Sequence, residues 1–333
     1  MRIFLAGDYY SGTGPANVTK YYIENLPKDT LYQKRRNKFL RAFEIAFNTL
    51  RADAVVYSGY SKQVILGAKI AKRFKKPCAY LMHGCVEYEN RINREEDEEM
   101  AKCEREILRL CDAVYAVSPR FCKWLKDNYS EYSDKFDYVA NAIDTDLKKS
   151  SALSDDGRDK HMIFTVGGGM PRKKINVLCK AVKLLRENYD SKMYLTVIGD
   201  KGADSEEIDS YDFVDNRHIV NFEDAAKLYK KAALFVQNSC FETFGLAPVE
   251  AVSSGCSMLA SKEIGALFLF QNVEQFDIIE DYEDPVEIAD KIKYLIENPN
   301  ADRLVSGIDW ERDSWKIRSQ TLLEKLSQLI LKK

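Results

Sequence analysis

The sequence lacks several features that would place it in a specialised class of protein. Its 333 residues contain no stretch approaching the roughly 18 consecutive apolar residues of a membrane-spanning helix. Eight cysteines are scattered without a Cys-x-x-Cys pair, which disfavours a zinc site or a disulfide framework. With 8 prolines and 16 glycines, the chain is neither collagen-like nor typical of disorder. We therefore expect a globular cytoplasmic protein with reduced thiols, peripheral attachment to the inner face of a membrane being the alternative.

The sequence also lacks a large excess of charge of either sign. The 50 basic and 52 acidic side chains nearly cancel. The first 150 residues hold 26 basic and 21 acidic side chains, and the remainder hold 24 and 31. This imbalance is too small for a nucleic-acid-binding protein, which would need a far more basic domain. A local anionic partner, such as a membrane surface, stays open.

Short apolar runs alternate along the chain with longer helical patterns, which predicts an α/β protein with parallel strands and crossover helices. The length exceeds the ~250–300 residues at which single cores stop growing, so two domains are expected. A polar stretch over 144–160 predicts a linker. We assign a Rossmann-like domain to 1–155, a second to 156–309, and a helix over 310–333 that packs back on the first. Strands are predicted at 3–6, 54–57, 78–82, 113–117, 138–140, 161–166, 194–198, 219–221, 233–237, 257–260 and 276–279.

The most specific motif is a pair of glutamates eight positions apart, Glu242 and Glu250. We expect Glu242 in a loop after a strand and Glu250 on a helix that begins near Pro248. A carboxylate can accept hydrogen bonds from two vicinal hydroxyls, which suits it to sugars and riboses. The alternative is that both acids are solvated or only cap the helix dipole, but a cap does not explain the intervening Phe244-Gly245-Leu246.

This motif, with the two glutamates separated by seven residues around Phe-Gly-Leu, resembles that of the GT-B-fold retaining glycosyltransferases of family 4, also called glycosyl transferases group 1. The resemblance implies two facing Rossmann-like domains with a central cleft. It implies a nucleoside-diphosphate sugar as donor substrate, with no metal or other cofactor, and a glycan or lipid-linked acceptor. By position, Glu250 would hold the nucleotide ribose and Glu242 would contact the transferred hexose. The residues Phe244, Gly245 and Leu246 would lie along the sugar or diphosphate.

A glycine turn over 165–174 leaves a predicted strand and enters a predicted helix. Its amides and cations suit a diphosphate. Lys173 matches the phosphate-binding lysine of the family, whereas Gly168 replaces the family's usual arginine. Either Arg172 or Lys174 takes over that charge, or the transition state loses one charge contact. The alternative for Arg172 and Lys174 is that both are solvated surface residues.

Two features of the first half complete the predicted donor site. In the first strand-to-helix loop, Gly12 and Gly14 would let the backbone approach a ligand, although an ordinary turn is the alternative. This loop lacks the full dinucleotide-binding fingerprint, which disfavours a dehydrogenase. The resemblance implies that His83, at a strand end, touches the donor sugar. A positioning role is favoured over a general base, and a core histidine is the alternative.

Two further patterns each have a functional and a simpler interpretation. Asp144-Thr-Asp146 looks like a metal-binding pair, but it matches the turn that ends the first domain in the family, so no metal is predicted. Residues 33–51 combine basic side chains with an apolar stripe at helical spacing. Burial of that stripe in the core is favoured, and docking on an anionic membrane is the alternative.

The sequence thus predicts a retaining glycosyltransferase that moves a hexose from a nucleoside-diphosphate sugar to a hydroxyl of a glycan or glycolipid, in surface polysaccharide or glycoconjugate synthesis. The alternatives are a nucleotide-sugar epimerase or phosphorylase of the same fold, and a non-catalytic sugar-nucleotide-binding subunit.

Overall fold

The computed structural model describes residues 1–147 and 157–332. It divides into two compact units. The first comprises residues 1–90 and 96–142 and the chain from residue 311 onward, and the second comprises residues 91–95 and 143–310. The predicted domain boundary at 155 lies outside the described residues, as does the middle of the linker predicted over 144–160.

The described part of the first unit contains a six-stranded parallel sheet with the strand order β2-β1-β3-β4-β5-β6. Its strands are β1 (Ile3–Gly7), β2 (Leu31–Tyr32), β3 (Ala54–Ser58), β4 (Cys78–Met82), β5 (Ala113–Ala116) and β6 (Phe136–Tyr138). Its helices are α1 (Gly14–Asn25), α2 (Lys38–Arg51), α3 (Lys62–Arg73), α5 (Glu98–Leu110) and α6 (Pro119–Asn128). Helix α4 (Val86–Asn93) begins in this unit, and its last three residues are assigned to the second.

Local sequence explains these elements. Strands β1, β3 and β4 are apolar along most of their length and are buried at every position, as expected for parallel strands covered on both faces. Ser61 and Ser118 accept backbone hydrogen bonds at the starts of α3 and α6, where Pro119 also favours helix initiation.

The described part of the second unit contains another six-stranded parallel sheet, with the order β12-β11-β10-β7-β8-β9. Its strands are β7 (Asp159–Val166), β8 (Tyr194–Ile198), β9 (Val214–Asn216), β10 (Ala232–Gln237), β11 (Ser257–Ser261) and β12 (Ile278–Ile279). Its helices are α7 (Ile175–Asn188), α8 (Ser205–Asp209), α9 (Phe222–Lys231), α10 (Ala247–Ser253), α11 (Pro285–Glu297) and α12 (Ala301–Ser306). The core between the sheet and α7 and α11 is aliphatic, with Leu178, Leu195, Leu234 and Ile292 fully buried.

The strand predicted at 219–221 is wrong. The edge strand is β9, which pairs with β8 several residues earlier. His218 has a φ of 55°, so the chain leaves the extended path just before Ile219. Ile219 is 70% exposed and pairs with no strand.

The last helix, α13 (Trp315–Leu331), packs on α1 within the first unit. The Trp315 ring stacks on Tyr21, with ring centroids 4.8 Å apart, and meets Tyr22 edge-on at 5.4 Å. Leu322 and Leu326 are fully buried. Across residues 1–147 and 157–332, no helix is long and apolar enough to span a bilayer.

Candidate active site

Two loops at the carboxyl ends of β7 and β10 approach one another in the second unit. The first passes through three glycines and a 3-10 turn, Pro171–Lys173, before α7. The second carries Glu242 and leads into α10. The backbone joins the loops, because the amide of Cys240 donates to the carbonyl of Arg172 at 2.9 Å. In parallel α/β sheets, this edge is where ligands bind.

Glu242 is the centre of a buried polar cluster. Its Oε2 atom accepts hydrogen bonds from Lys173 Nζ, from Arg172 Nη1 at 3.3 Å and from Gln237 Nε2 at 3.2 Å. The side chains of Lys173 and Glu242 are only 10% and 13% exposed. The fold thus brings side chains that are far apart in the sequence into one charged cluster.

The charges in this cluster do not cancel. Burial alone would raise the pKa of Glu242, but the positive charges of Lys173 and Arg172 outweigh it, and the pKa lies below its ordinary value. The carboxylate is therefore ionised at neutral pH. Two cations share one anion, so the cluster keeps an excess positive charge that suits an anionic ligand.

The structure separates the two cations that could replace the missing arginine. Arg172 turns toward Glu242 and also donates to the Phe241 carbonyl at 3.3 Å. Lys174 forms an ion pair of 2.6 Å with Glu283 instead. The left-handed φ of 51° at Lys174 separates the turn from α7. Arg172 is therefore the one that belongs to the Glu242 cluster.

A close backbone contact explains the glycine at position 168. Gly168 has a φ of 55°, and a Cβ there would lie 2.0 Å from the Asp200 carbonyl oxygen. No side chain, and hence no arginine, fits this backbone. The amides of Gly167 and Gly168 donate to the Ile198 carbonyl, and that of Gly169 donates to Asp200. These three amides hold the loop against the end of β8. The sequence pattern predicts instead that they donate to a diphosphate.

Glu250 lies on α10 and has a different partner. The buried Tyr229 hydroxyl, from α9, donates to Glu250 Oε2 at 3.0 Å. Burial raises the pKa of Glu250, and this hydrogen bond opposes the shift. The carboxyl group is thus fixed in orientation by a tyrosine that belongs to the same unit.

The Phe-Gly-Leu segment between the glutamates is tightly packed. Gly245 has a φ of 83°, and a Cβ there would lie 2.8 Å from Glu242 Cγ. Phe244 is buried and meets the ring of Phe268 edge-on. Leu246 accepts the Glu250 amide at the start of α10. The absence of a side chain at Gly245 leaves room for the Glu242 side chain, which is a structural reason for glycine at this position.

The remaining predicted residues lie in the first unit. Gly12 and Gly14 occupy the loop between β1 and α1, and a Cβ at either would meet no atom within 4 Å. Gly12 has a φ of 73°, which favours glycine. The backbone at both positions is therefore accessible to a ligand.

His83 follows β4 and joins a short chain of polar side chains. Its Nε2 lies 2.8 Å from Ser58 Oγ, which lies 2.7 Å from Thr19 Oγ1. Burial lowers the pKa of His83 to about 4, so the imidazole is neutral at physiological pH.

A buried acid, Glu104, lies near the start of α4. It accepts the Val86 amide at 2.8 Å and the Tyr80 hydroxyl at 3.1 Å. Burial raises its pKa to about 8, although these hydrogen bonds oppose the shift. Its carboxyl group therefore helps to hold the beginning of α4.

Within the described parts of the chain, no group of three His, Cys, Asp or Glu side chains is arranged to hold a metal ion. Asp144 accepts the backbone amide of Asp146 at 2.9 Å, which is a local turn.

Sequence reasoning missed Gln237, Ser58 and Tyr229. Gln237 opens a run of polar residues at the end of β10, Gln-Asn-Ser, and polar side chains ending a buried strand could have indicated it. Nothing in the sequence singles out Tyr229 among 19 tyrosines.

Two family models match consecutive parts of the chain. The model described as Glycosyltransferase Family 4 matches residues 6–147, and that of Glycosyl transferases group 1 matches residues 148–306. Together they span residues 6–306, which include the segment that carries the two glutamates.

Individual relatives are distant. The chain is 23% identical to a D-inositol 3-phosphate glycosyltransferase of Paenarthrobacter aurescens over 294 residues, covering 82% of this chain and 72% of that protein. It is 25% identical to the O-antigen chain mannosyltransferase RfbU of Salmonella typhimurium over 160 residues, 46% of this chain and 43% of that one. The crystal structure of Anabaena HepE in complex with UDP and glucose superposes with a TM-score of 0.68 at 15% identity, covering 98% of this chain and 100% of that one. This likeness confirms the predicted two-domain GT-B fold.

Proposed function

Because the chain belongs to the GT-B glycosyltransferases of group 1 and family 4, we propose that it is a retaining enzyme that moves a hexose from a nucleoside-diphosphate sugar to a hydroxyl of a glycan or lipid-linked acceptor. The same proposal gives the enzyme a role in surface polysaccharide or glycoconjugate synthesis. The single observation that supports it most is the Glu242 cluster, in which one ionised carboxylate meets the buried Lys173 and the partly buried Arg172.

The charge of that cluster supports the proposed donor. A sugar diphosphate presents hydroxyls on one side and a dianionic bridge on the other. The carboxylate of Glu242 suits the hydroxyls, and the excess charge of Arg172 and Lys173 suits the phosphates. Proteins of this fold have been solved with UDP-glucose, as in Anabaena HepE, which fits a donor of this class.

We assign separate roles to the two glutamates. The three donors around Glu242 all meet Oε2, so Oε1 is the oxygen that would accept hexose hydroxyls. Glu250, held by Tyr229, would accept the two ribose hydroxyls. Gly12 and Gly14 would allow the first unit to approach the donor, and His83 would bind the sugar as a neutral imidazole.

In the proposed reaction, the bond between the anomeric carbon and the diphosphate oxygen breaks, and the acceptor oxygen bonds to that carbon on the same face. The acceptor's proton passes to the departing phosphate oxygen. Arg172 and Lys173 stabilise the charge that develops on the diphosphate, which preorganised cations do best where water is excluded. No metal is needed in this scheme, since the two side chains supply the positive charge.

The decisive experiment is a calorimetric panel of UDP-, GDP-, ADP- and dTDP-sugars, followed by NMR of the product anomer. Binding of one donor and transfer with retained configuration are expected. Epimerised donor without acceptor, or turnover only with inorganic phosphate, would instead indicate an epimerase or a phosphorylase. Donor binding with neither transfer of the sugar nor slow hydrolysis of the donor would indicate a non-catalytic binding subunit.

A further inference from the structure

Helix α2 turns its apolar stripe away from the core. The residues it buries are Ile45, Asn48 and Thr49. Its opposite face carries large side chains at intervals of four, four and three residues, which places them in one row. Their exposed fractions are 81% for Phe39, 77% for Phe43, 60% for Phe47 and 42% for Leu50. The favoured interpretation of this stripe as core is therefore wrong.

Four large apolar side chains in one exposed row are unusual for a protein that meets only water. Soluble monomers rarely leave contiguous apolar patches of this kind uncovered, and such patches mark surfaces that bind something. Leu40, 53% exposed, lies beside the row and widens it.

Basic side chains lie close to the row in the sequence, and those of residues 34–36 are exposed, whereas Arg41 turns inward and donates to Gln63 Oε1 at 2.7 Å. Residues 33–51 contain six cations, Lys34, Arg35, Arg36, Lys38, Arg41 and Arg51, against one acid, Glu44. That acid accepts the backbone amides of Lys34 at 3.0 Å and Arg35 at 2.8 Å. It thereby fixes the basic segment 34–36 beside the helix. Asn37 caps the helix between the two parts by accepting the amides of Phe39 and Leu40.

We propose that this face, formed by the apolar row of α2 and the basic segment 34–36, docks on an anionic lipid surface. The phenyl rings would enter the boundary between headgroups and acyl chains, while the cations meet lipid phosphates. A helix lying in a membrane interface needs this combination of an apolar face and flanking positive charge. A second copy fits less well, because a symmetric contact would bring two strongly basic segments together.

This inference goes beyond the proposed reaction, which does not require a membrane. It concerns α2 and the basic segment 34–36, and none of their residues belongs to the predicted donor site.

The test uses the full chain and two vesicle preparations, equal parts phosphatidylglycerol and phosphatidylcholine, or phosphatidylcholine alone. Flotation is expected with the first and not with the second, and it should weaken as salt is added. Each cation near the surface contributes about fivefold to partitioning, so Arg35→Glu with Arg36→Glu should lower it by about twentyfold or more. Phe43→Ser with Phe47→Ser should abolish flotation.

Matched controls lie in the second unit. Lys183→Glu with Lys192→Glu makes the same charge change at exposed positions, and Ile219→Ser removes a side chain that is 70% exposed. Both should float as the wild type does. Circular dichroism melting shows whether each variant is folded, and only folded variants are compared.

Equal flotation with both vesicle preparations, or flotation unchanged in the folded α2 variants, would overturn the proposal. A different result would assign the face to a second copy of the chain. In that case the wild-type protein forms dimers and does not float, and the variant with Phe43→Ser and Phe47→Ser is monomeric. Donor binding, measured separately, distinguishes failure of this inference from failure of the proposed function.

Discussion

Lys173 and Glu242 form a buried ion pair although 69 positions separate them in the sequence. The pair joins the loop after β7 to the loop after β10. Breaking a buried pair by removing one partner leaves an uncompensated charge, which typically costs about 3–5 kcal/mol. The same contact therefore serves both the stability of the second unit and the proposed chemistry, and experiments must separate the two.

Glu242→Ala should abolish transfer, and Glu242→Gln should lower it by about 100-fold or more, because the ionised oxygen that faces the sugar is lost. Transfer is measured with saturating donor, and melting temperature is followed in parallel. Glu283→Gln is the matched control, since Glu283 pairs with Lys174 of the same turn but is half-exposed. It should retain near-wild-type transfer. Wild-type rates in folded Glu242→Ala would refute the assignment.

Glu250→Ala should mainly weaken nucleotide binding, by about tenfold or more, while transfer at saturating donor is largely kept. The reason is that a ribose is remote from the bond that breaks. Calorimetry with the free nucleoside diphosphate and a separation of kcat from KM measure the effect. Tyr229→Phe, which removes only the hydroxyl that orients Glu250, should give a smaller loss in the same direction. A fall in kcat with unchanged binding contradicts the ribose role.

Arg172→Gln should reduce transfer by about tenfold or more, whereas Lys174→Gln should change it little. Arg172 shares Glu242 with Lys173, while Lys174 pairs with Glu283. The loss of a charge-assisted contact to phosphate accounts for the size of the first effect. Diphosphate affinity should fall with Arg172→Gln only. The reverse ranking would make Lys174 the residue that replaces the missing arginine.

Gly168→Ala should destabilise the protein by at least about 2–3 kcal/mol. Its Cβ would lie 2.0 Å from a backbone oxygen, and its left-handed backbone adds strain. Gly14→Ala is the matched control, because a Cβ there meets no atom within 4 Å, and its effect should stay within about 1 kcal/mol. Denaturant unfolding measures both. Equal stabilities for the two variants would mean that the loops after β7 and β8 can move apart.

Glu104→Gln should flatten one part of the pH dependence of unfolding. The folded pKa of Glu104 is about 8 and the unfolded value is 4.5. Below pH 4.5 both states hold the proton, and between pH 4.5 and 8 only the folded state does. Glu104 therefore costs the folded state stability as pH rises through that window. The glutamine variant lacks this loss, so its stability relative to wild type should rise from pH 4.5 to 8.

Urea unfolding at several pH values gives this difference. Glu98→Gln, an exposed acid on the same helix α5, is the control and should follow the wild-type profile. Parallel profiles for wild type and Glu104→Gln would show that the carboxyl titrates normally.

The predictable part of this protein is its strand framework. Parallel strands buried on both faces are continuous apolar runs, so β1, β3, β4 and β10 could be recognised directly. The prediction failed at 219–221, where two β-branched residues follow the positive φ of His218. Backbone conformation at a single residue decided that outcome, and composition does not reveal it.

Periodicity predicted the helix α2 but not its orientation. An amphipathic pattern identifies two faces and leaves open which of them packs. Here the core accepts Ile45 together with two small polar residues, Asn48 and Thr49, and the phenylalanines face outward.

The candidate site was recognisable as a motif and not as a geometry. The spacing of Glu242 and Glu250 indicates a loop after a strand and the helix that follows it, and the structure places Glu242 after β10 and Glu250 on α10. That Glu242 is bound by Arg172, Lys173 and Gln237 depends on how β7 and β10 lie side by side, which is long-range information. The reason for Gly168 likewise lies in the chain near Asp200, not in its own neighbourhood.

The packing of α13 on α1 has a consequence for how the polypeptide matures on the ribosome. The second unit is nearly contiguous, so its core can form before the residues of α13 have left the ribosome. Synthesis of the first unit begins earlier, yet its folding is completed later, because the indole of Trp315 must cover Tyr21 and Tyr22. Until α13 emerges, a nascent chain exposes that aromatic surface to chaperones.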